Sequence, residues 1–265
     1  MEQDDVVLQS LEAQVAAPHT ALVLVDVQND FVHPDGVLGK GAVPGFVDVS
    51  LVPGMLATTR QLLAAARAAG VFTVFVQMIG DLVYQSGPAQ ALYRRRGGEG
   101  GTRSVLDGTW GADFYEDIRP DGRAREVIVR KHRYSAFAGT NLDLVLRSNG
   151  IRTLVMCGDA TSGCVESTTR HGFFHDYYVV TASDACADFD LARHQASLRK
   201  MDESFGYVVP AARVMELWAE APPAPSGAAT ALMDTMGTVG GAAPKLPTNG
   251  SSEKMKAPPS EATIA

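Results

Sequence analysis

Short apolar runs rich in β-branched residues recur along most of the chain, with stretches of helical periodicity between them. The first run, Ala21–Val27, is apolar at nearly every position. That pattern is typical of a strand buried on both faces of a sheet. Similar runs predict five further strands, at Val71–Gln77, Glu126–Arg130, Thr153–Cys157, Tyr177–Thr181 and Tyr207–Val209.

Helical periodicity fills the stretches between these strands. Pro53–Ala69 places apolar residues at helical spacing and stops at Gly70, a residue type that commonly ends helices. The same pattern predicts helices at 141–148, 163–175, 191–203 and 211–219. Strands that alternate with helices favour βαβ crossovers, so we predict an α/β fold with a parallel sheet and helices on both of its faces.

Two segments depart from this pattern. Met78–Arg125 is a long insertion with many glycines and little periodicity. Long loops inside compact domains are usually lids or binding loops, so we predict that this one covers the site. Ala221–Ala265 carries seven of the fourteen prolines and no aromatic residue, which predicts a disordered tail. The predicted organisation is an N-terminal segment at 1–20, one domain at 21–220 and a tail at 221–265.

Composition and charge narrow the class of protein. Hydrophobic residues make up 46% and charged residues 20%, as in an ordinary globular enzyme. The formal net charge is −7 and no long basic run is present, which argues against a nucleic-acid partner. No apolar run approaches the ~20 residues that cross a bilayer, and the acidic N-terminus differs from the basic start of a signal peptide. We therefore expect a cytoplasmic protein with no membrane partner.

Three reactive side chains stand where predicted strands end. Asp26 ends the first strand, Lys131 directly follows the third, and Cys164 opens a helix after the turn Gly158–Gly163. Ligands of parallel sheets bind beyond the carboxyl ends of the strands, so these groups are expected to meet. A helix N-terminus and a nearby lysine both lower the pKa of a thiol, and a carboxylate can accept its proton. The three groups together are sufficient for acyl transfer.

Each residue alone has a more ordinary interpretation. A strand-end aspartate often forms a turn, a lysine after a strand usually lies on the surface, and a cysteine most often fills the core. We assign the core role to Cys157 and Cys186, since three cysteines do not make a disulfide framework. A non-catalytic α/β module that binds a metabolite remains the alternative, although neither a Gly-x-Gly-x-x-Gly sequence nor a P-loop follows the first strand.

Three segments in this order resemble the motif blocks of the isochorismatase-like cysteine hydrolases. They are Val25–Phe31, Lys131–Asn141 and Gly158–Thr168, and the likeness covers roughly residues 21 to 210. The resemblance implies a three-layer α/β/α domain with a six-stranded parallel sheet. It also implies a homodimer or homotetramer.

The same resemblance implies a role for each residue of the site. Cys164 corresponds to the nucleophile, Asp26 to the general base and Lys131 to the third catalytic residue. A cis peptide is expected between Asp159 and Ala160, and the N–H groups of Ala160 and Cys164 are expected to form an oxyanion hole.

Two departures within the family restrict the activity. Nicotinamidases carry an Asp-x-His metal pair after the second strand, whereas Val76–Asp81 contains no histidine. We therefore predict no metal and no other cofactor, and a nicotinamidase-type amidase remains only an alternative. The presence of Cys164 argues against the vinyl-ether hydrolysis of isochorismatase, in which that position lacks a cysteine.

Within the metal-free branch, Lys131–Phe137 and Cys164–Thr168 look most like ureidoacrylate amidohydrolase, which acts on a carbamoylated β-amino acrylate. N-carbamoylsarcosine amidase and biuret hydrolase are related members of the family. We therefore expect a small amide or ureido substrate. The candidate substrate contacts are the polar side chains of Gln28, Asn29 and Gln77 and the aromatic side chains of Phe31 and Tyr134.

Overall fold

The computed structural model describes residues 7–40, 48–96 and 104–220 of the 265-residue chain. The tail predicted at 221–265 lies outside the described residues. Residues 97–103, in the middle of the predicted loop Met78–Arg125, also lie outside them.

Six strands form one sheet in which every neighbouring pair is parallel. They are β1 Thr20–Val25, β2 Phe72–Met78, β3 Glu126–Lys131, β4 Thr153–Asp159, β5 Tyr178–Ala187 and β6 Gly206–Val209. Their order is β3–β2–β1–β4–β5–β6. From β1 the chain adds β2 and then β3 on one side. It then crosses to β4, on the other side of β1, and adds β5 and β6 beyond it. The topology thus reverses between β1 and β4, where sheets of this kind bind ligands.

The helices of the described residues lie mainly between the strands. They are α1 Leu11–Gln14, α2 Asn29–Val32, α3 Val52–Ala69, α4 Gly87–Arg95, α5 Leu142–Ser148, α6 Glu166–Phe174, α7 Leu191–Ser204 and α8 Ala211–Glu220. Short 3₁₀ turns occur at Ala17–His19, Leu82–Tyr84 and Trp110–Ala112, and a π-helical turn at Thr161–Val165.

The alternation of side chains along β1 separates the two cores of the domain. Leu22 and Leu24 belong to a cluster that also holds buried residues of α3 and α8, whereas Val23 and its same-face neighbours pack with buried residues of α5. All six residues of β1 are buried, and each fully buried Leu or Val stabilises the fold by about 1.5–3 kcal/mol. On the second face, α6 brings Gly172 against Leu154 of β4. The predicted three-layer α/β/α class with a six-stranded parallel sheet is confirmed.

The fifth strand is longer than predicted. It continues to Ala187, whereas the apolar pattern ended at Thr181. The added residues are small or polar and carry little strand propensity, so their pattern does not distinguish them from a loop. Beyond an irregularity in the ladder they pair with the end of β4, Gly158 opposite Cys186 and Asp159 opposite Ala187.

The predicted irregular stretch Met78–Arg125 contains a helix that the sequence pattern missed. Helix α4 is capped by Ser86, whose hydroxyl accepts from the Ala89 N–H at 3.4 Å, and Pro88 lies in its first turn. None of its residues is buried. Its apolar residues Ala89, Leu92 and Tyr93 stand at helical spacing but span little more than one turn, which is too short for the periodicity on which the prediction depended.

Gly158 allows β1 and β4 to approach closely at the end of the sheet where the site lies. Its φ is 115°, and a Cβ built there would lie 2.1 Å from the carbonyl oxygen of Val25. We expect Gly158→Ala to lower the free energy of unfolding by about 3 kcal/mol or more, because backbone strain adds to overpacking. Urea denaturation measures this change.

Gly54 of α3 provides the matched control, since a Cβ there would have no neighbour within 4 Å. Gly54→Ala should stabilise the protein by about 0.5–1 kcal/mol, because alanine favours a helix interior over glycine. A Gly158→Ala protein that unfolds at the wild-type urea concentration would contradict the close-approach argument.

Candidate active site

Three reactive groups meet beyond the carboxyl ends of β1, β3 and β4. The Lys131 Nζ lies 2.7 Å from the Asp26 Oδ2 and 3.2 Å from the Cys164 Sγ. The side chains of Lys131 and Asp26 are 0% and 1% exposed. The structure thus brings together the three residues that the sequence places after three separate strands.

Lys131 is the last residue of β3 and lies opposite Met78 in the ladder with β2. Besides Asp26 and Cys164, its ammonium group donates to the carbonyl oxygen of Arg133 at 3.1 Å. A buried ammonium group has three donors and needs acceptors for them. The surroundings of Lys131 provide these acceptors, so its head group has a fixed position.

Asp26 leaves β1 in the left-handed region, with φ 55°. Its N–H donates to the Val76 carbonyl at 3.1 Å, and its own carbonyl accepts from the Gln28 N–H at 2.7 Å. Aspartate tolerates this backbone region better than most residues with a Cβ. The turn therefore ends pairing with the sheet while it keeps the carboxylate at the edge of the strand.

Cys164 lies in the π-helical turn Thr161–Val165, ahead of α6, and not in the regular helix predicted from Gly163 onward. The Thr161 hydroxyl donates to the carbonyl of Ala187 at 2.8 Å, which ties this turn to β5. The turn follows a cis peptide between Asp159 and Ala160. Turns of the π type occur frequently at functional sites.

The ionisation of these groups differs from the sequence-based expectation. Burial raises the pKa of the Cys164 thiol, and the neighbouring Lys131 ammonium only partly opposes this effect. Burial also raises the pKa of Asp26, again against the opposing effect of Lys131. For Lys131, burial alone would lower the pKa, but Asp26 and Cys164 outweigh it and hold that pKa above its usual value. The resting site is therefore an ammonium–carboxylate ion pair beside a neutral thiol.

Asp26 and Cys164 line a cavity of about 170 Å³. Both predicted aromatic contacts, Phe31 and Tyr134, also line it. The cavity is smaller than the ~300–1,000 Å³ of pockets that hold drug-sized ligands, so it suits a small substrate. The described parts of the predicted loop contribute Tyr93, Arg96, Ser104 and Val105 to its wall.

The three predicted polar contacts do not line this cavity. Gln28 donates to the Met78 and Ala112 carbonyls and accepts from the Met78 N–H, all within 3.0 Å. Gln77 also donates to Ala112, and Asn29 donates to the carbonyl of Trp110 at 2.8 Å. These side chains join the strand ends to the segment around Trp110–Ala112. The polar groups of these three side chains therefore form hydrogen bonds with backbone groups of the loop.

Other residues in the cavity wall were missed by the sequence analysis, notably Arg96, Asp159 and Arg193. Arg193 lies in α7 and Arg96 at the end of α4. Both are distant along the chain from the reactive residues, so their sequence positions did not indicate that they line the cavity. Asp159 had a usable signal, because it is an acidic residue at a strand end, as Asp26 is. The predicted end of the fourth strand at Cys157 concealed it.

A second cavity in the described residues lies away from the three reactive groups. This larger cavity, of about 590 Å³, lies at the amino ends of β5 and β6, where Tyr178 and Gly206 line it, and it contains none of the three groups.

Within residues 7–40, 48–96 and 104–220, no helix has both the length and the apolar character needed to cross a membrane.

Two polar side chains at the end of β2 and after it bond to backbone groups. The Gln77 amide donates to a backbone carbonyl, and the Asp81 Oδ1 accepts from the Asp107 N–H at 3.0 Å. In the described part of the chain, no three or more His, Cys, Asp or Glu side chains are grouped so that they could hold a metal ion.

Comparison with known proteins places this geometry in a family. The isochorismatase domain model matches residues 20–213. The chain belongs to the isochorismatase family. The resemblance expected from the three motif segments is thereby confirmed, and this isochorismatase-family chain is a hydrolase.

Several relatives of this isochorismatase-family chain are similar over most of their length. Ureidoacrylate amidohydrolase RutB from Serratia proteamaculans is 36% identical over 211 residues, which are 74% of this chain and 82% of that protein. The crystal structure of a cysteine hydrolase from Pseudomonas syringae pv. phaseolicola 1448A matches with a TM-score of 0.65 and 27% identity, over 78% of this chain and 95% of that one. N-carbamoylsarcosine amidase from Thermoplasma acidophilum matches with a TM-score of 0.55 and 26% identity, over 72% and 96%.

The buried ion pair predicts a charge-specific effect on stability. Lys131→Met should lower the free energy of unfolding by about 3–5 kcal/mol, because it leaves the buried Asp26 carboxylate without a counter-charge. The double variant Lys131→Met/Asp26→Asn should recover most of this loss, since asparagine is neutral and also tolerates the left-handed backbone. Urea denaturation of both proteins provides the comparison. An equal loss in both would show that packing around Lys131, and not charge, is what matters.

Proposed function

We propose that this chain is a metal-independent cysteine amidohydrolase that cleaves a small amide or ureido substrate. The observation that carries the proposal is the contact of the Lys131 Nζ with both Asp26 and Cys164 at one end of the cavity. A nucleophile, a proton acceptor and a cation at one point are the parts that covalent acyl transfer needs. The curated relatives named ureidoacrylate amidohydrolase support the substrate class.

In the first half of the reaction, Asp26 accepts the thiol proton as the Cys164 Sγ attacks the substrate carbonyl carbon. The carbonyl electron pair moves to oxygen, and the N–H groups of Ala160 and Cys164 stabilise the oxyanion. When the tetrahedral intermediate collapses, the C–N bond breaks and Asp26 returns the proton to the leaving nitrogen. Ammonia or an amine departs, and Cys164 is left as a thioester, or as a thiocarbamate when the substrate is a ureido compound.

In the second half, water attacks the acylated Cys164 and Asp26 accepts a proton from it. Collapse breaks the C–S bond, Asp26 gives its proton to the Sγ, and the acid product leaves. In the resting site, Asp26 and Cys164 hold the pKa of Lys131 above its usual value, so Lys131 is charged when the thiol loses its proton. The ammonium stabilises the thiolate as it forms, which compensates for the raised pKa of the resting thiol.

The charges around the cavity support a substrate with an anionic end. Arg96 and Arg193 line the same cavity as Cys164. Guanidinium groups bind carboxylates through well-oriented charge-assisted hydrogen bonds. We therefore propose a ureido acid of the ureidoacrylate type as the substrate, with its carboxylate toward the arginines and its carbamoyl carbon at Cys164.

Cys164→Ala should abolish turnover, because no other described group in the cavity wall can form the thioester. The measurement is ammonia release over a panel of ureido acids, carbamoyl amines and simple carboxamides. Substantial turnover by Cys164→Ala would show that the covalent mechanism is wrong.

Cys157→Ala and Cys186→Ala provide the matched controls. Both side chains are buried, 0% and 3% exposed, and neither lines the cavity. Each variant should keep its activity and lose stability by a few kcal/mol at most, because it removes a small part of the core. Iodoacetamide should also label Cys164 before either of these cysteines, since only Cys164 is partly exposed.

The enzyme should work without a metal ion. The side chains of Gln77 in β2 and Asp81 after it bond to the backbone, so the substrate carbonyl must be polarised by backbone N–H groups alone. Dialysis against a strong chelator, with metal removal confirmed by elemental analysis, should leave kcat/KM unchanged. Loss of activity that returns on addition of zinc, iron or manganese would overturn this prediction and favour a nicotinamidase-type enzyme.

The assembly and location of the enzyme follow the same proposal. We propose that it works in the cytoplasm, where its three free cysteines stay reduced. The homodimer or homotetramer implied by the family resemblance stays a prediction, which size-exclusion chromatography with light scattering tests.

A further inference from the structure

Asp159 is a buried acid in the wall of the active-site cavity. It is the last residue of β4, and its neighbours in the cavity wall include Asp26 and Cys164. The residue is only 1% exposed. Both of its carboxyl oxygens are buried without a hydrogen-bond partner among the residues that the structure describes.

Asp159 differs from the other buried acids nearby, because no cation or N–H group pairs with it among the described residues. The carboxyl oxygens of Asp26 also lack an ordinary hydrogen bond, but Asp26 forms an ion pair with Lys131. Asp188 accepts from the Ser162 and Phe189 N–H groups at 2.6 and 2.8 Å. A buried polar group without a partner destabilises the folded protein, and such groups call for an explanation wherever they occur in a native structure. Its place in the cavity wall indicates that a ligand completes its hydrogen bonds.

The surroundings of Asp159 favour its neutral form. Burial raises its pKa well above the usual value, and the carboxylates of Asp26 and Asp188 add to the effect. Lys131 opposes the shift but is already paired with Asp26. A protonated carboxyl group has one O–H donor and one carbonyl acceptor. It therefore matches a ligand group that presents an acceptor and an N–H donor side by side.

We propose that Asp159 is a specificity-determining residue whose carboxyl group hydrogen-bonds, as donor and acceptor together, to the carbamoyl or carboxamide end of the substrate. Its place in the chain fits this role, because Asp159 directly precedes Ala160, whose N–H we assign to the oxyanion hole. The reacting end of the substrate thus lies beside Asp159. The inference rests on the proposed function, since it takes the substrate to be an amide or ureido compound.

The test measures binding separately from turnover. The probe is 3-ureidopropionate, a stable ureido acid, titrated by calorimetry into Cys164→Ala protein that carries a second substitution. Asp159→Leu keeps the shape of the side chain and removes both hydrogen bonds, so Kd should rise about tenfold or more. Asp159→Asn keeps a donor and an acceptor, and Kd should stay within about threefold.

Thr153→Val provides the matched control at the opposite end of the same strand. Thr153 is the first residue of β4, is 0% exposed, and has a buried hydroxyl without a partner among the described residues, but it does not line the cavity. Its variant should leave Kd unchanged. Thermal midpoints of all variants exclude unfolding as the cause, and Asp159→Leu should be at least as stable as its parent, because it removes an unpartnered polar group.

Three results would overturn the inference. Unchanged affinity in Asp159→Leu would show that Asp159 does not recognise the ureido group. No binding of 3-ureidopropionate by the Cys164→Ala parent would overturn the ureido-acid substrate on which the inference rests. An equal loss of affinity in Asp159→Asn and Asp159→Leu would show that Asp159 acts as an ionised acceptor of hydrogen bonds, and not as donor and acceptor together. The proposed function is tested separately, because turnover by Cys164→Ala contradicts that function whatever Asp159 does.

Discussion

The rest of the site depends on the buried ion pair between Asp26 and Lys131. The two residues end strands β1 and β3, which are not neighbours, so their 2.7 Å contact passes over the end of β2. Removal of either partner alone would leave an uncompensated buried charge, which costs several kcal/mol. The register of three strands must therefore be correct before the pair can form. The same ammonium group lies 3.2 Å from the Cys164 Sγ, so the pair also fixes the charge that the nucleophile meets.

The sequence predicts those parts of the fold and site whose signals are local. The inner strands were found because buried parallel strands are nearly continuous apolar runs, and the edge strands β3 and β6 because they also contain short β-branched runs. Cys164 and its two partners were found because reactive residue types stand at strand ends. Helix α4 was missed because its apolar periodicity spans little more than one turn, and the extension of β5 was missed because small residues show no period. The roles of Gln28 and Gln77 depend on backbone groups around Ala112, a distant part of the chain that no local pattern reveals.

The ionisation of Cys164 illustrates the limit of a local rule. Its place near the start of a helix and beside Lys131 predicted a lowered pKa, and both influences act in that direction. Burial acts in the other direction and is larger. A neutral resting thiol has a chemical consequence, because the thiolate is the nucleophile and must be formed by loss of the proton. The thiol therefore loses its proton as it attacks the substrate. The general base must then lie close to the sulfur, and in this site both groups contact the same ammonium group.

Asp26 and Asp159 show how one residue type at two neighbouring strand ends can take two different roles. Both carboxyl groups are buried, and burial raises the pKa of each. Asp26 has the only ammonium group that the described residues bring to this end of the cavity, so it stays ionised and can accept a proton. Asp159 has two carboxylates as neighbours and no ammonium group of its own, which favours the protonated form that can donate a hydrogen bond. In many active sites two acids lie in environments that separate their pKa values, so that one acts as the base and the other as the proton or hydrogen-bond donor. Here a single lysine makes the assignment, because its ammonium group is paired with Asp26 and not with Asp159.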